Sequence, residues 1–184
     1  MENLTMTTFT RHTLKTATGQ AKTVLDDING KYGFIPELFA YMAEAPDTVT
    51  AYVMLNELVS NTSLTAAQQQ IALLAASVEN DCEFCIVAHR AFGKFNKVSE
   101  KTLTAIVNGE EIDDAKENAL VKFTRTIVST RGRPGQAALN EFFAAGFSKQ
   151  QIFEVILVVT IKTLSNYANH LTLPEPNKEL LAML

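Results

Sequence analysis

The chain has 184 residues, of which 47% are hydrophobic, and a formal net charge of −4. This length fits one domain with a packed core. The nearly balanced charge, without a basic run, excludes a nucleic-acid-binding surface. The start does not resemble a signal peptide, and the most apolar runs, 71–76 and 155–161, are too short to span a bilayer. We therefore expect a soluble, cytoplasmic protein without membrane association.

In chain order, residues 1–18 are polar and rich in threonine, and we expect an N-terminal arm there. Residues 19–176 carry helical periodicity and form the predicted domain, and residues 177–184 form a short amphipathic tail, which we expect to contact another subunit. Glycine, proline and capping residues divide the domain into elements. The predicted helices cover 20–29, 37–45, 46–60, 65–79, 82–94, 99–108, 113–130, 136–145 and 148–171.

No alternation of period two persists outside the β-branched run 155–161, which has no partner strand, so that run is also predicted to be helical. Thr65 with Gln68 forms a capping box at the start of one helix, and Ser148 caps the longest. We expect Gly30 to end the first helix. The predicted fold class is all-α, a single-domain bundle of about eight to ten helices.

Both cysteines lie in one stretch, 79–89, which reads Glu-x-x-Cys-x-x-Cys-x-x-x-His. Asn80 or Asp81 is the predicted N-cap of a helix that begins at Cys82. On such a helix Cys82 and Cys85 are three residues apart and share a face, so their sulfurs can form a disulfide. The polar residues around them argue against burial. In a reducing compartment this spacing indicates a catalytic or metal-binding pair rather than a structural disulfide.

The order of the two sulfurs follows from thiolate activation, because the thiolate is the nucleophile. Cys85 lies one turn before His89, within direct reach of its imidazole, so we assign Cys85 as the attacking sulfur and Cys82 as the resolving sulfur, at the outer end where a reductant would meet it. Activation by the helix N-terminus favours the reverse order. Glu79, three residues before Cys82, is a candidate to accept a proton or to orient His89, and a solvated helix-end glutamate is the alternative.

The motif, followed by Phe92-Gly93, resembles the AhpD-like alkylhydroperoxidase family within the carboxymuconolactone decarboxylase superfamily. The resemblance extends over roughly residues 35–175, with its core motif at 64–95. It implies an AhpD-like helical bundle and a redox-active Cys82–Cys85 disulfide, with no cofactor or metal. It also implies a homo-oligomer, a trimer or hexamer.

One position departs from the family pattern. The relay glutamate expected twelve residues before the first cysteine is Gln70 here, which cannot titrate, and Glu79 is instead the glutamate of a peroxidase-related branch. The resemblance places the end of the last long helix near the site. Asn169 and His170 are therefore candidates to hold substrate or a relay water, although His170 also suits a helix C-terminus by its charge. Tyr52 is a candidate to line the site or to pack in the core.

Three functions are compatible with these residues. The first is a thiol-dependent peroxidase, which reduces a hydroperoxide and is reduced by a dithiol, either a small molecule or a protein. The second is a dithiol–disulfide oxidoreductase for a protein partner. The third is a zinc site at Cys82, Cys85 and His89, which is disfavoured because structural zinc sites usually draw ligands from two segments. Decarboxylation is disfavoured because the decarboxylase branch lacks the cysteine pair.

Overall fold

The computed structural model describes residues 8–184, and these residues form ten α-helices and no β-strand. The predicted all-α class and the predicted number of helices are confirmed. The helices are α1 (Gly19–Tyr32), α2 (Glu37–Met42), α3 (Pro46–Ser60), α4 (Ala66–Glu79), α5 (Glu83–Phe95), α6 (Glu100–Asn108), α7 (Ala115–Ser129), α8 (Gly135–Ala144), α9 (Lys149–Thr172) and α10 (Lys178–Leu181).

Helix α4 is the centre of the bundle. It packs on α5, α7 and α9, and its residues 71–76 are all buried. Its N-terminus carries the predicted capping box, in which Thr65 and Gln68 each bond the other's backbone N–H. Helix α9 begins with a second capping box at Ser148 and runs unbroken through the β-branched segment, so the prediction of a helix there is confirmed.

Several predicted boundaries were wrong. Helix α2 ends at Met42 rather than at residue 45. Helix α1 does not stop at Gly30 but continues to Tyr32, and Gly33 ends it with a left-handed φ of 77°. Neither Asn80 nor Asp81 caps α5. Asp81 adopts φ 53° and completes a Schellman motif after α4, in which its own N–H and that of Cys82 bond the carbonyls of Val78 and Ser77. Cys82 is therefore the N-cap of α5.

Both ends of the described chain pack on the bundle. The N–H of His12 donates to the carbonyl of Ala40 at 2.9 Å. The side chain of Asn177 accepts from the N–H of Glu37 at 2.9 Å, at the start of α2, and Leu180 on α10 is buried. The tail thus contacts its own domain, and the predicted contact with another subunit remains a prediction. The first seven residues of the predicted N-terminal arm lie outside the described residues.

Gly93 on α5 sets how closely α5 and α6 approach. A Cβ at this position would lie 2.7 Å from Cδ2 of Leu103, which is fully buried in the core. We expect Gly93→Ala to destabilise the protein by about 1–3 kcal/mol, because overpacking outweighs the gain in helix propensity. Urea unfolding measures this. Gly30→Ala on α1 is the matched control, since its Cβ meets nothing within 4 Å, and equal stabilities of the two variants would contradict the prediction.

Candidate active site

The two cysteines lie at the N-terminal end of α5, and both are free thiols. Cys82 is 1% exposed and Cys85 is 2% exposed, so the prediction that they are not buried was wrong. They belong to a core cluster that includes Leu38 and Phe39 from α2 and Leu180 from α10. These apolar side chains cover the helix end, and the flanking polar residues do not keep the thiols in solvent.

An asparagine from α9 lies against both sulfurs. Nδ2 of Asn169 is 3.3 Å from Sγ of Cys85 and 3.7 Å from Sγ of Cys82. The amide N–H groups can donate to sulfur, and a thiolate is the better acceptor. Asn169 was predicted near the site, and the structure brings it there.

A buried lysine completes the site, and sequence reasoning missed it. Lys162 on α9 is 0% exposed, and its Nζ lies 2.9 Å from Nε2 of His89. Burial has the largest single effect on the pKa of Lys162 and lowers it, but the charge and hydrogen bond of Cys85, with smaller contributions from Tyr52 and Cys82, together raise it more, and the net shift is upward. Lys162 is therefore an ammonium group paired with the Cys85 sulfur.

The same pairing acts on the thiols. A hydrogen bond from Cys82 lowers the pKa of Cys85, burial opposes this, and the Lys162 charge lowers it further, so that it lies well below its ordinary value. The pKa of Cys82 is raised by its hydrogen bond to Cys85 and by burial. The arrangement holds Cys85 as a thiolate and Cys82 as a neutral thiol.

His89 does not hydrogen-bond Cys85, contrary to the direct contact that the helical spacing predicted. Its Nδ1 lies 3.1 Å from Oε1 of Gln70, and its Nε2 faces Lys162. Burial and then the Lys162 charge lower the pKa of His89 well below its ordinary value, so the ring is neutral. Because an ammonium group can only donate, Nε2 accepts from Lys162, and Nδ1–H donates to Gln70. Gln70 thus fixes the tautomer of His89.

A cavity of about 300 Å³ lies beside Cys85, Lys162 and His89. Cys85 lines the cavity and Cys82 does not, contrary to the expectation that Cys82 is the sulfur at the outer end that a reductant meets. Lys31, which also lines it, is exposed, so the cavity reaches the surface there. Tyr52, a candidate either to line the site or to pack in the core, does both: it lines the cavity and packs edge-on against Phe39. The aromatic side chains that line the cavity are Tyr32, Phe39, Tyr52, Phe84 and Phe92.

Two predicted site residues do not join this group. The carboxylate of Glu79 accepts from Nε of Arg125 on α7 at 2.9 Å, and among residues 8–184 it has no hydrogen bond to a thiol or to His89. His170 is exposed and stacks on Tyr167, with ring centroids 6.2 Å apart, because it lies one residue past the inward face of α9 that carries Asn169. Neither side chain is placed for proton transfer at the sulfurs.

The position of Glu79 predicts that replacing it has little effect on the reactivity of the thiols. Glu79→Gln should leave the rate of thiol oxidation by peroxide unchanged and lower the free energy of unfolding by at most about 1 kcal/mol, since it removes a half-exposed ion pair. Stopped-flow oxidation and urea unfolding measure the two effects. A rate loss of tenfold or more would instead show that Glu79 takes part in proton transfer during thiol oxidation.

Two further features bear on the alternatives. Within the described part of the chain, no group of three or more His, Cys, Asp or Glu side chains is arranged to hold a metal ion, so the zinc alternative gains no support. No single helix among residues 8–184 has the length and apolar composition to cross a membrane, although α8 and α9, bent by 114°, meet that test as a pair.

The comparisons with known proteins agree with this geometry. The profile of the carboxymuconolactone decarboxylase family matches residues 44–126, which include both thiols and His89. An AhpD-core, peroxidase-related protein from Ralstonia eutropha JMP134 superposes with a TM-score of 0.83 over 97% of this chain and 96% of that one, at 18% identity. The chain is therefore similar to the carboxymuconolactone decarboxylase family over residues 44–126 and has the fold of AhpD-like proteins. Peroxidase-related proteins are among the solved structures that share this fold.

Other solved structures with the AhpD-like fold show how varied its members are. The debrominase Bmp8, in complex with 2,3,4-tribromopyrrole, superposes with a TM-score of 0.76 over 97% of this chain and 96% of that one, at 16% identity. A putative antioxidant defence protein AhpD from Agrobacterium tumefaciens gives a TM-score of 0.64 over 74% and 95%, at 20% identity. These identities support the fold alone. No curated protein matches the chain in sequence.

Proposed function

We propose that this protein is a thiol-dependent peroxidase that reduces organic hydroperoxides through a Cys82–Cys85 disulfide. The observation that carries the proposal is that Cys85, the one cysteine that lines the cavity, shares this lining with the fully buried Lys162. A stabilised thiolate that faces a ligand-sized cavity, with a second thiol behind it, is the arrangement that two-electron reduction of a peroxide requires.

In the first step the Cys85 thiolate attacks the outer oxygen of ROOH, the O–O bond breaks, and Cys85 becomes a sulfenic acid. The leaving alkoxide takes a proton and departs as ROH. This proton comes from solvent, and the Lys162 ammonium group, which donates a hydrogen bond to Nε2 of His89 and is oriented by it, stabilises the developing charge on the alkoxide. The hydrogen bond between Nδ1 of His89 and Oε1 of Gln70, at 3.1 Å, fixes the ring orientation so that Nε2 faces Lys162.

In the second step Cys82 attacks the sulfenic sulfur, the disulfide forms, and water leaves. Asn169, whose amide lies against both sulfurs, holds them on the same side of α5 for this condensation. A dithiol then restores both thiols by exchange and leaves as its own disulfide. Because Cys82 is buried and only Cys85 lines the cavity, the reductant must reach Cys85 through the cavity. This favours a small dithiol over a protein partner.

The proposal is tested by titrating thiols before and after one equivalent of cumene hydroperoxide. We expect both thiols to disappear together, dithiothreitol to restore them, and excess dithiothreitol to support continued consumption of peroxide. Unchanged thiols, or loss of one thiol alone in the wild type, would overturn it. Rapid disulfide exchange with a protein dithiol, without turnover of peroxide, would favour the oxidoreductase alternative.

Reductive debromination of a small aromatic compound is a second candidate, because five aromatic side chains line the cavity and a debrominase has the same fold. The dithiol can supply both electrons: an aryl bromide and two thiols give the arene, the disulfide and HBr. Incubating the reduced protein with 2,3,4-tribromopyrrole and measuring bromide tests this. Bromide release that matches disulfide formation would support it, and no release would remove it.

A further inference from the structure

The cavity has an unusual balance of charges. Its lining residues include two cations, Lys31 at the mouth and Lys162 at the buried end, and no Asp or Glu. Among residues 8–184, no carboxylate forms an ion pair with Lys162. Around Lys162 the groups from the packed helices are Tyr52, whose pKa is raised by burial, the neutral His89 and the amide of Gln70. The Cys85 thiolate is therefore the sole compensating charge among these groups.

This compensation depends on the state of Cys85. In the reduced protein the charges of the Lys162 ammonium group and the Cys85 thiolate compensate each other, so a second anion gains little binding free energy. In the disulfide, sulfur carries no charge, while Lys162 remains buried among apolar and aromatic side chains. A buried charge without a partner is costly, and the system lowers this cost by neutralising the lysine or by admitting an anion. The cavity has the volume and the opening to admit one.

We infer that the cavity becomes a binding site for a small aromatic or apolar carboxylate whenever Cys85 is not a thiolate, with Lys162 as the anion-binding group. The inference rests on the thiolate state of Cys85 in the proposed function. The aromatic lining contacts the apolar body, and the ammonium group contacts the carboxylate. The site also favours the reducing thiol. This thiol attacks as a thiolate and, like the carboxylate, brings a negative charge next to Lys162.

A matched pair of variants tests the inference without any peroxide. Cys85→Ser removes the thiolate, whereas Cys82→Ser retains it. We expect benzoate, measured by isothermal titration calorimetry, to bind Cys85→Ser with at least about tenfold lower Kd than Cys82→Ser. Benzamide, the uncharged analogue, should not distinguish the two. Adding Lys162→Met to Cys85→Ser should abolish the preference for benzoate, and adding Lys31→Met should largely preserve it.

The wild-type protein provides a second measurement that does not depend on the serine variants. Benzoate should bind the diamide-oxidised form at least about tenfold more tightly than the reduced form. Equal affinities in both comparisons, or a preference that survives Lys162→Met, would overturn the inference. If peroxide still oxidises both thiols in that case, the proposed function stands alone. Selective benzoate binding by Cys85→Ser, combined with no peroxide turnover by the wild-type protein, would instead support the anion site and refute the peroxidase.

Discussion

Lys162→Met is expected to slow the oxidation of Cys85 by cumene hydroperoxide by about a hundredfold at neutral pH. An adjacent opposite charge lowers a pKa by about 1–3 units, so its removal leaves Cys85 mostly as the unreactive thiol. Methionine fills similar space, and replacing a buried charge with an apolar side chain is often tolerated. The second-order rate constant from stopped-flow mixing measures the effect.

The pH dependence separates this electrostatic role from a structural one. In the wild type the pKa of Cys85 is depressed, so the rate should stay constant from alkaline to neutral pH and fall only in acid. In Lys162→Met the fall should begin at higher pH, and alkaline solution should restore much of the rate. Lys31→Met, the other lysine that lines the cavity, is the control and should keep the wild-type profile. A loss that alkali does not restore would contradict the assigned role.

Cys85→Ser should abolish peroxide turnover, whereas Cys82→Ser should complete one oxidation and stop. In Cys82→Ser the thiolate remains, so one equivalent of peroxide converts Cys85 to a sulfenic acid that lacks a resolving partner. Dimedone labelling followed by mass spectrometry should locate this adduct at Cys85. Cys85→Ser retains only Cys82, which does not line the cavity, and should remain unlabelled under the same conditions.

The reverse result would reverse the assignment. A dimedone adduct at Cys82 in Cys85→Ser, formed as fast as wild-type oxidation, would show that the helix-terminal sulfur attacks first. Cys82 is the N-cap of α5, which favours its activation, but it does not line the cavity. The structure therefore argues against this order. Circular dichroism of both variants confirms that each retains the helical fold.

Much of the fold could be predicted because its signals are local. The capping boxes at Thr65 and Ser148 are short-range hydrogen bonds between neighbours in sequence, and the structure forms both. The long helix α9 followed from the absence of any strand to pair with its β-branched run. The end of α1 was missed because a glycine inside a helix and a glycine after it look alike in sequence.

The site was harder to predict because its contacts join distant segments. Cys82 and Cys85 were found from their spacing, but their burial depends on α2 and α10, which sequence alone does not position. Glu79 pairs with Arg125, 46 residues away. Lys162 did leave a signal: it directly follows an apolar run, and it lies seven residues before Asn169, on the same helical face.

The ionisation of Cys85 in the reduced protein tests the central claim most directly. Ultraviolet thiolate absorbance, recorded as a function of pH, should show one thiolate per chain at neutral pH that persists well below the ordinary cysteine pKa. Cys85→Ser should remove this signal, and Lys162→Met should move its titration to higher pH. A reduced wild-type protein with no thiolate at neutral pH would contradict the account.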